Sequence, residues 1–332
     1  MPQYDLPLEE LIDYRPGLDE PDDLDAFWTE TLSESRALRR PTRSEAVSTG
    51  LRLVETRDLE FSGFGGQRIR AWLHVPRAEA PAGGFGVVVE YVGAGAGRGL
   101  PHEPSLWALA GHAHLVMDNR GQGAGWRVGD TPDILDEDAG APSFPGFATR
   151  GIRHPRSSYY RRLYTDAVLA VDVAREQPGI DPARVVVDGV SQGGGVALAV
   201  AGLVAGLQGV MAEVPFLCDF PRGVAIAGPP YSEIAGYLAV HRDRVAEAFR
   251  TLSYFDAAIL GRRATAPALF AAALMDLTTP PSTVFAAHNH YGAPAEIAVY
   301  PYNGHEGGGS HHSRRRLAFA AEHLGVANPA DR

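Results

Sequence analysis

The chain has 332 residues, 45% of them apolar, and a formal net charge of −10. That length makes one large domain or two ordinary ones, no apolar run reaches the ~20 residues of a membrane helix, and an acidic chain without a basic stripe argues against nucleic acid as a partner. All thirty basic residues are arginine, which removes Schiff-base lysine chemistry and any phosphate loop that needs its lysine. The single cysteine, Cys218, has no partner for an internal disulfide. The acidic start "MPQYDLPLEELIDY" lacks a basic, apolar leader. Both features lead to the expectation of a cytoplasmic protein.

Residues 1–45 read as an N-terminal helical extension. "LDEPDDLDAFWTETLSESRAL" has acids before its first turn and apolar residues at helical spacing. "LRLVETRDLEF" and "QRIRAWLHVP" alternate as two strands around a Gly-rich turn. "VVVEYV" is a short apolar strand, "GAGAGRGLPHEP" a loop, "SLWALAGHA" a helix and "HLVMDNR" a further strand. Residues 126–157 carry no convincing period, and irregular loops of that length are uncommon unless functional or used in association. "SYYRRLYTDAVLAVDVAREQ" then predicts a long helix. "RVVVDGVSQGGGVALAVAGL" predicts a strand, a sharp turn and a helix, and "GVMAEVP" the next strand. Residues 216–263 read as a helical insertion. "APALFAAALMD" and "AEIAVYPY" are strands with the helix "PSTVFAAHNHYG" between them, and "HHSRRRLAFAAEHLG" closes the chain as a helix. The alternation implies a single doubly wound α/β domain over residues 1–332, with a mostly parallel sheet flanked by helices.

The chemistry centres on Gly189-Val190-Ser191-Gln192-Gly193, which fits G-x-S-x-G. In that pattern the serine sits on a strained strand-to-helix turn, with glycines where a Cβ would clash. The N–H of Gln192 then lies at a helix N-terminus, where negative charge is favoured. The bland alternative is a serine that only caps the helix. A serine nucleophile needs a base, and the base an orienting acid, in the chain order serine, acid, histidine. Asp276 ends a strand after the nucleophile helix and precedes the loop "LTTPP". Asp256 is the runner-up, in a helical stretch. His305, in "AVYPYNGHEGGG", follows the next strand and has glycines that leave it room. His288 and His290 lie in a helix, and His311 and His312 begin the last one. His102, His112 and His114 have no carboxylate pair or cysteine at metal-ligand spacing, so no metal is assigned. The second oxyanion donor is expected from the end of an earlier strand, at Tyr91.

A dinucleotide-binding oxidoreductase is the competing reading. The 93–99 loop is rich in glycine, and Asp118 stands about 20 residues on, where a ribose would be held. Strict G-x-G-x-x-G fails, however: the last position falls on Arg98 or Leu100. A binding protein on an inactive hydrolase scaffold is a further alternative, as is an α/β-hydrolase acting on a different small ester. The serine reading requires no cofactor.

With these residues in hand, the chain resembles the acetyl xylan esterase and cephalosporin C deacetylase family, carbohydrate esterase family seven of the α/β-hydrolase superfamily. The likeness runs from "DLPLEELIDYRP" and "FWTETLSES" through "FSGFGGQRI" and "MDNRGQGAGW" to "YPYNGHEGGGS". "RGQG" at 120–123, "GVSQGG" at 189–194 and "HE" at 305–306 are specific together. The resemblance implies Ser191, Asp276 and His305 as the triad, and the N–H groups of Tyr91 and Gln192 as oxyanion donors. Arg120 and Gln122 would support the turns. It also implies deacetylation of small substrates such as acetylated xylo-oligosaccharides and cephalosporin C. The assembly it implies is a homohexamer whose sites face a central cavity, with 126–157 as the interface loop. Val190 stands where members often have glycine, and "LTTPP" varies the loop after the acid. Trp126, Ile134, Phe144 and Phe147 on the arm are expected to lack cover in a monomer.

Overall fold

A computed structural model describes residues 3–103, 105–134 and 146–325. Its described strands form one sheet in the order β1-β2-β3-β5-β4-β6-β7-β8-β9. β1 (Arg43–Val47), β2 (Val54–Ser62), β3 (Arg68–Pro76) and β5 (Ala113–Met117) pair antiparallel in that order. From β5 onward every pairing is parallel, through β4 (Phe85–Tyr91), β6 (Ile180–Val190), β7 (Gly209–Glu213), β8 (Ala268–Ala273) and β9 (Ala295–Tyr300). The valine runs of β4 and β6 are buried on both faces, as parallel strands under two helical layers must be. Val87, Val89, Val185 and Val187 pack into the main core with α4 (Tyr159–Arg175) and α5 (Gln192–Leu203). Val88, Val186 and Met211 point the other way, onto Trp107, Ala320 and Leu324. Those three belong to α3 (Leu106–Leu109) and the closing helix α11 (Gly309–Leu324).

The N-terminal segment is not all helix. α1 (Leu8–Ile12) and α2 (Leu24–Ala37) are followed by β1, a nearly fully exposed edge strand. Its sequence, RSEAV, has no apolar alternation to announce it. Charged side chains on such an edge also discourage pairing with another chain. α3 is only four residues long, started by Ser105, whose Oγ accepts Ala108 N–H at 3.0 Å. The 216–263 stretch is helical as read, with α6 (Phe220–Ile226), α7 (Tyr231–Val240), α8 (Val245–Ser253) and α9 (Ala257–Leu260). α10 (Pro281–His290) then leads to β9.

The described parts of 126–157 corrects one expectation. Phe147 packs on the Tyr159 ring, centroids 4.8 Å apart, and Ala148 and Ile152 are buried in the same subunit. The arm root is therefore covered without a partner. Trp126 and Ile134 remain 69% and 68% exposed, and Phe144 lies outside the described residues.

α4 is buried on nearly every side, so something must cover the face turned away from the sheet. α2 does so. Trp28 stacks on Tyr164 at 5.9 Å and 24°, and its Nε1–H donates to Tyr254 O at 3.1 Å. Phe27 and Phe255 close the cluster edge-on. Trp28→Ala should therefore cost about 3–5 kcal/mol of stability, the usual range for a buried aromatic cut to alanine. Urea denaturation of parent and variant measures it; a loss under ~1 kcal/mol would show that α2 stands outside the cooperative core.

Candidate active site

The site is assembled where β6, β7, β8 and β9 end. Between β6 and α5 the chain turns at Ser191, with φ 58° and ψ −120°. A non-glycine residue at positive φ is strained. The strain is held by Ser191 N–H donating to Glu213 O at 3.0 Å and by Phe216 N–H donating to Ser191 O at 2.9 Å. The flanking glycines are steric necessities. A Cβ on Gly189 would collide with the main chain of Gly193, and one on Gly193 with the carbonyl of Tyr91.

Asp276 follows β8 and is fully buried. Its Oδ1 accepts Thr278 N–H at 2.8 Å and Thr279 N–H at 3.1 Å. Its Oδ2 lies 2.8 Å from Thr279 Oγ1 and 2.8 Å from His305 Nδ1. The other ring nitrogen of His305, Nε2, is 2.9 Å from Ser191 Oγ. Asp276, His305 and Ser191 thus form one hydrogen-bonded line with the carboxylate at its buried end. Thr279, unremarked in the sequence beyond its turn, also lies 3.3 Å from His305 Nδ1 and donates its hydroxyl within this cluster. Its signal was an acid followed by two threonines, a pattern that closes an Asx turn. Asp256 lies elsewhere. It caps α9 and accepts the N–H groups of Asp219, Phe220 and Ala258, and burial pushes its carboxyl up to about 7.

The serine opens on a cavity of about 350 Å³ whose wall is mostly apolar, including Trp126, Val190, Pro229 and Pro230. Gly93 and Ala94 line it; Tyr91 does not. Tyr91 is the last residue of β4, paired on both sides with β5 and β6, and its side chain runs away to Ala167 O at 2.9 Å. The turn toward the serine lies further on. Gly93 O accepts Ala96 N–H at 3.2 Å and faces Asn119 Nδ2 at 3.4 Å, so that carbonyl points into the protein. In a trans peptide the N–H opposes the C=O, and the N–H of Ala94 points the other way. Gly95 N–H is already taken by Gln122 Oε1 at 2.7 Å. A larger cavity, about 650 Å³, lies between residues 17–23 and α8. It includes Asp256 but no histidine, and it is remote from Ser191.

Gln122 ties this turn to the elbow. Its Nε2–H groups reach Tyr159 Oη at 2.8 Å and Gln192 Oε1 at 3.2 Å, while its Oε1 holds Gly95. Arg120 stands fully buried beneath. Its Nε and Nη2 donate to the two oxygens of Asp166 at 2.5 and 2.7 Å, and its Nη1 to Gln67 Oε1 at 2.7 Å. The dinucleotide reading fails on Asp118. That carboxylate is fully buried and accepts the main-chain N–H groups of Arg98, Asp130 and Thr131 at 2.9, 2.7 and 2.8 Å, out of reach of a ribose. The glycine loop also opens no helix, since α3 begins only at Leu106. His114 hydrogen-bonds Ser105 Oγ at 2.8 Å and lies 2.9 Å from Glu90, and burial holds His112 down to about 4.

Removing one partner of a buried ion pair leaves an uncompensated charge, worth about 3–5 kcal/mol. Arg120→Ala should lose that much stability, because two of its nitrogens donate to the two oxygens of the buried Asp166 carboxylate. A denaturant midpoint shift corresponding to less than ~1 kcal/mol would contradict this account of the "RGQG" turn.

The family described as "Acetyl xylan esterase (AXE1)" matches residues 1–323. The acetyl xylan esterase from Paenibacillus sp. R4 is 36% identical, with a TM-score of 0.90 over 96% of this chain and 100% of that one. Acetyl Xylan Esterase 1 from Thermoanaerobacterium sp. JW/SL YS485 is 30% identical, with a TM-score of 0.85 over 95% and 99%. Acetyl esterase Axe7A from Xylanibacter ruminicola is 27% identical over 303 residues, covering 88% of this chain. The match spans 65% of that protein's own length. The sheet order, the strained serine turn and these likenesses agree with an α/β-hydrolase fold, and the chain belongs to the acetyl xylan esterase (AXE1) family.

Proposed function

We propose that this protein is a serine esterase that removes acetyl groups from small acetylated substrates through an acyl-enzyme. The observation that carries the reading is the unbroken line Asp276–His305–Ser191, with ring contacts of 2.8 and 2.9 Å, opening on a small apolar cavity. Ser191 Oγ attacks the acetyl carbonyl while His305 Nε2 takes its proton. Asp276 holds the imidazole in the required tautomer and offsets the positive charge that develops. The oxyanion is received by two N–H groups. One is that of Gln192, the first residue of α5, where the helix dipole adds to it. The other is that of Ala94, in place of Tyr91. His305 then returns the proton to the leaving alcohol. A water molecule, deprotonated by the same ring, then attacks the acyl carbonyl, and as its bond to Ser191 Oγ breaks His305 returns the proton to that oxygen and acetate leaves.

The wall of Trp126, Val190 and the two prolines suits a short acyl group, and acetylated xylo-oligosaccharides and cephalosporin C are the substrate classes we assign. A homohexamer is the assembly we assign, supported by the exposure of Trp126, which lines the cavity, and of Ile134 on the same arm. A cytoplasmic location is supported by a lone cysteine, buried and free. Among the described residues, no helix is long and apolar enough to cross a membrane.

Ser191→Ala should abolish hydrolysis of p-nitrophenyl acetate while leaving the unfolding transition in place. Asp276→Asn should lower kcat by roughly 10³–10⁴; an equal loss from Asp256→Asn with Asp276→Asn unimpaired would reverse the assignment. Light scattering at micromolar concentration should report six subunits, and a monomer would remove the assembly from the account.

A further inference from the structure

The junction behind the elbow contains a buried acid that the reaction scheme leaves unused. Glu213 is the last residue of β7, and its main-chain oxygen takes the N–H of Ser191 at 3.0 Å. Its side chain leaves in another direction. The carboxylate lies against Gly307, two residues past His305, and the neighbouring N–H of Gly308 favours its ionised form. A Cβ on Gly307 would come within 2.8 Å of Glu213 Oε1. Glu213 Oε2 is also 3.4 Å from Arg316 Nη1, and the same guanidinium hydrogen-bonds Asp188, three residues before the nucleophile. Glu213 therefore touches the serine turn with its main chain and the histidine loop with its side chain.

We propose that Glu213 is a positioning residue, which fixes the His305 loop against the nucleophile elbow through the contact of its carboxylate with Gly307 and Gly308. The proposal rests on reading His305 as the base. An N–H group is drawn more strongly to an ionised carboxylate than to a neutral acid, so the hold on the loop is tightest when Glu213 is charged. Burial pushes its carboxyl up to about 7, against the pull of Arg316. The charged and titratable groups that face it are Arg316 on α11, Asp188 on β6, Tyr300 on β9 and His305 itself. Glu90 on β4 acts through Arg316. Rising pH thus charges Glu213, a change that adds to the reaction's need for an unprotonated base, so the acid limb of log kcat/KM should be steeper than one proton allows.

The test compares Glu213→Ala and Glu213→Gln with the parent on p-nitrophenyl acetate across that limb. Misplacement of a catalytic group by about an ångström costs up to ~10²-fold in rate. Glu213→Ala should accordingly lose ~10–100-fold in kcat with KM nearly unchanged. Glu213→Gln, whose amide keeps the shape of the side chain against Gly307, should recover much of the rate but show a one-proton limb. Inactivation of Ser191 by phenylmethylsulfonyl fluoride should slow in parallel with kcat. In that step the serine oxygen bonds to sulfur, fluoride leaves and His305 takes the proton, so its rate reads the alignment of the base. A Glu213→Ala kcat within twofold of the parent, or equal losses in both variants with the limb unchanged, would overturn the proposal. If alanine fails to fold, the limb of Glu213→Gln decides alone. Ser191→Ala is measured beside them. If it stays active, the base reading falls; if it is inert and Glu213→Ala is unimpaired, only the role of Glu213 falls.

Discussion

Ser191 adopts a positive φ of 58°, a conformation that costs a non-glycine residue of order 1–3 kcal/mol. It persists because its neighbours hold it from both sides: its N–H on Glu213 O, its C=O under Phe216 N–H. The same short segment after β7 serves the other two members of the site. Val214 O faces Thr279 Oγ1 at 3.1 Å, and that hydroxyl is 2.8 Å from Asp276 Oδ2. The Glu213 carboxylate reaches the loop of His305. Three catalytic turns from three strands are thus registered on residues 213–216. Strained turns of this kind need such over-determination, and the tight glycine contacts around Gly189 and Gly193 supply the rest.

Polar groups beneath the site are carried by arginine. Arg98 stacks over Trp72, 3.6 Å from the ring centre, and donates to Asp58 at 2.6 Å. Arg162 pairs with Asp133 at 2.8 Å, and Arg120 with Asp166. A guanidinium is always charged, presents several donors in a plane and stacks on aromatic faces. It can satisfy a carboxylate, a carbonyl and a ring at once, as Arg98 does with Asp58, the carbonyl of Ala71 and Trp72. Loops outside the named strands and helices, such as 92–103 and 118–134, gain their order from these hubs and from Asp118, which gathers three backbone donors. The chain's complete lack of lysine has no structural explanation here beyond this use of arginine.

Much of this was readable in the sequence, for reasons that also mark where reading stops. Ser191, Asp276 and His305 each stand at the end of an apolar run, and buried parallel strands announce themselves strongly, so the rim on which all three sit was visible. β1 was not, because an exposed edge strand buries nothing and leaves no period. The arm at 126–157 was read as uncovered because the partner of Phe147 is Tyr159, beyond a segment without pattern. The sequence points to Tyr91 as the second oxyanion donor because "VVVEYV" does not show where β4 stops, and no residue type encodes which way a peptide plane faces, so the proposed donor, Ala94, leaves no mark. Thr279 and Glu213 act through contacts to distant segments. Glu213 did leave a trace: it is the one acid in the buried run "GVMAEVP".

The central claim is that the acetyl group passes through Ser191. Acid-quenching the enzyme during turnover of an acetylated substrate, followed by proteolysis and mass spectrometry, tests it directly. The account predicts an acetyl adduct on the peptide that contains Ser191, on that serine, rising to a steady level with substrate and vanishing once substrate is consumed. Sustained turnover with no adduct, or an acetyl group on a different residue that forms and decays at the turnover rate, would contradict it.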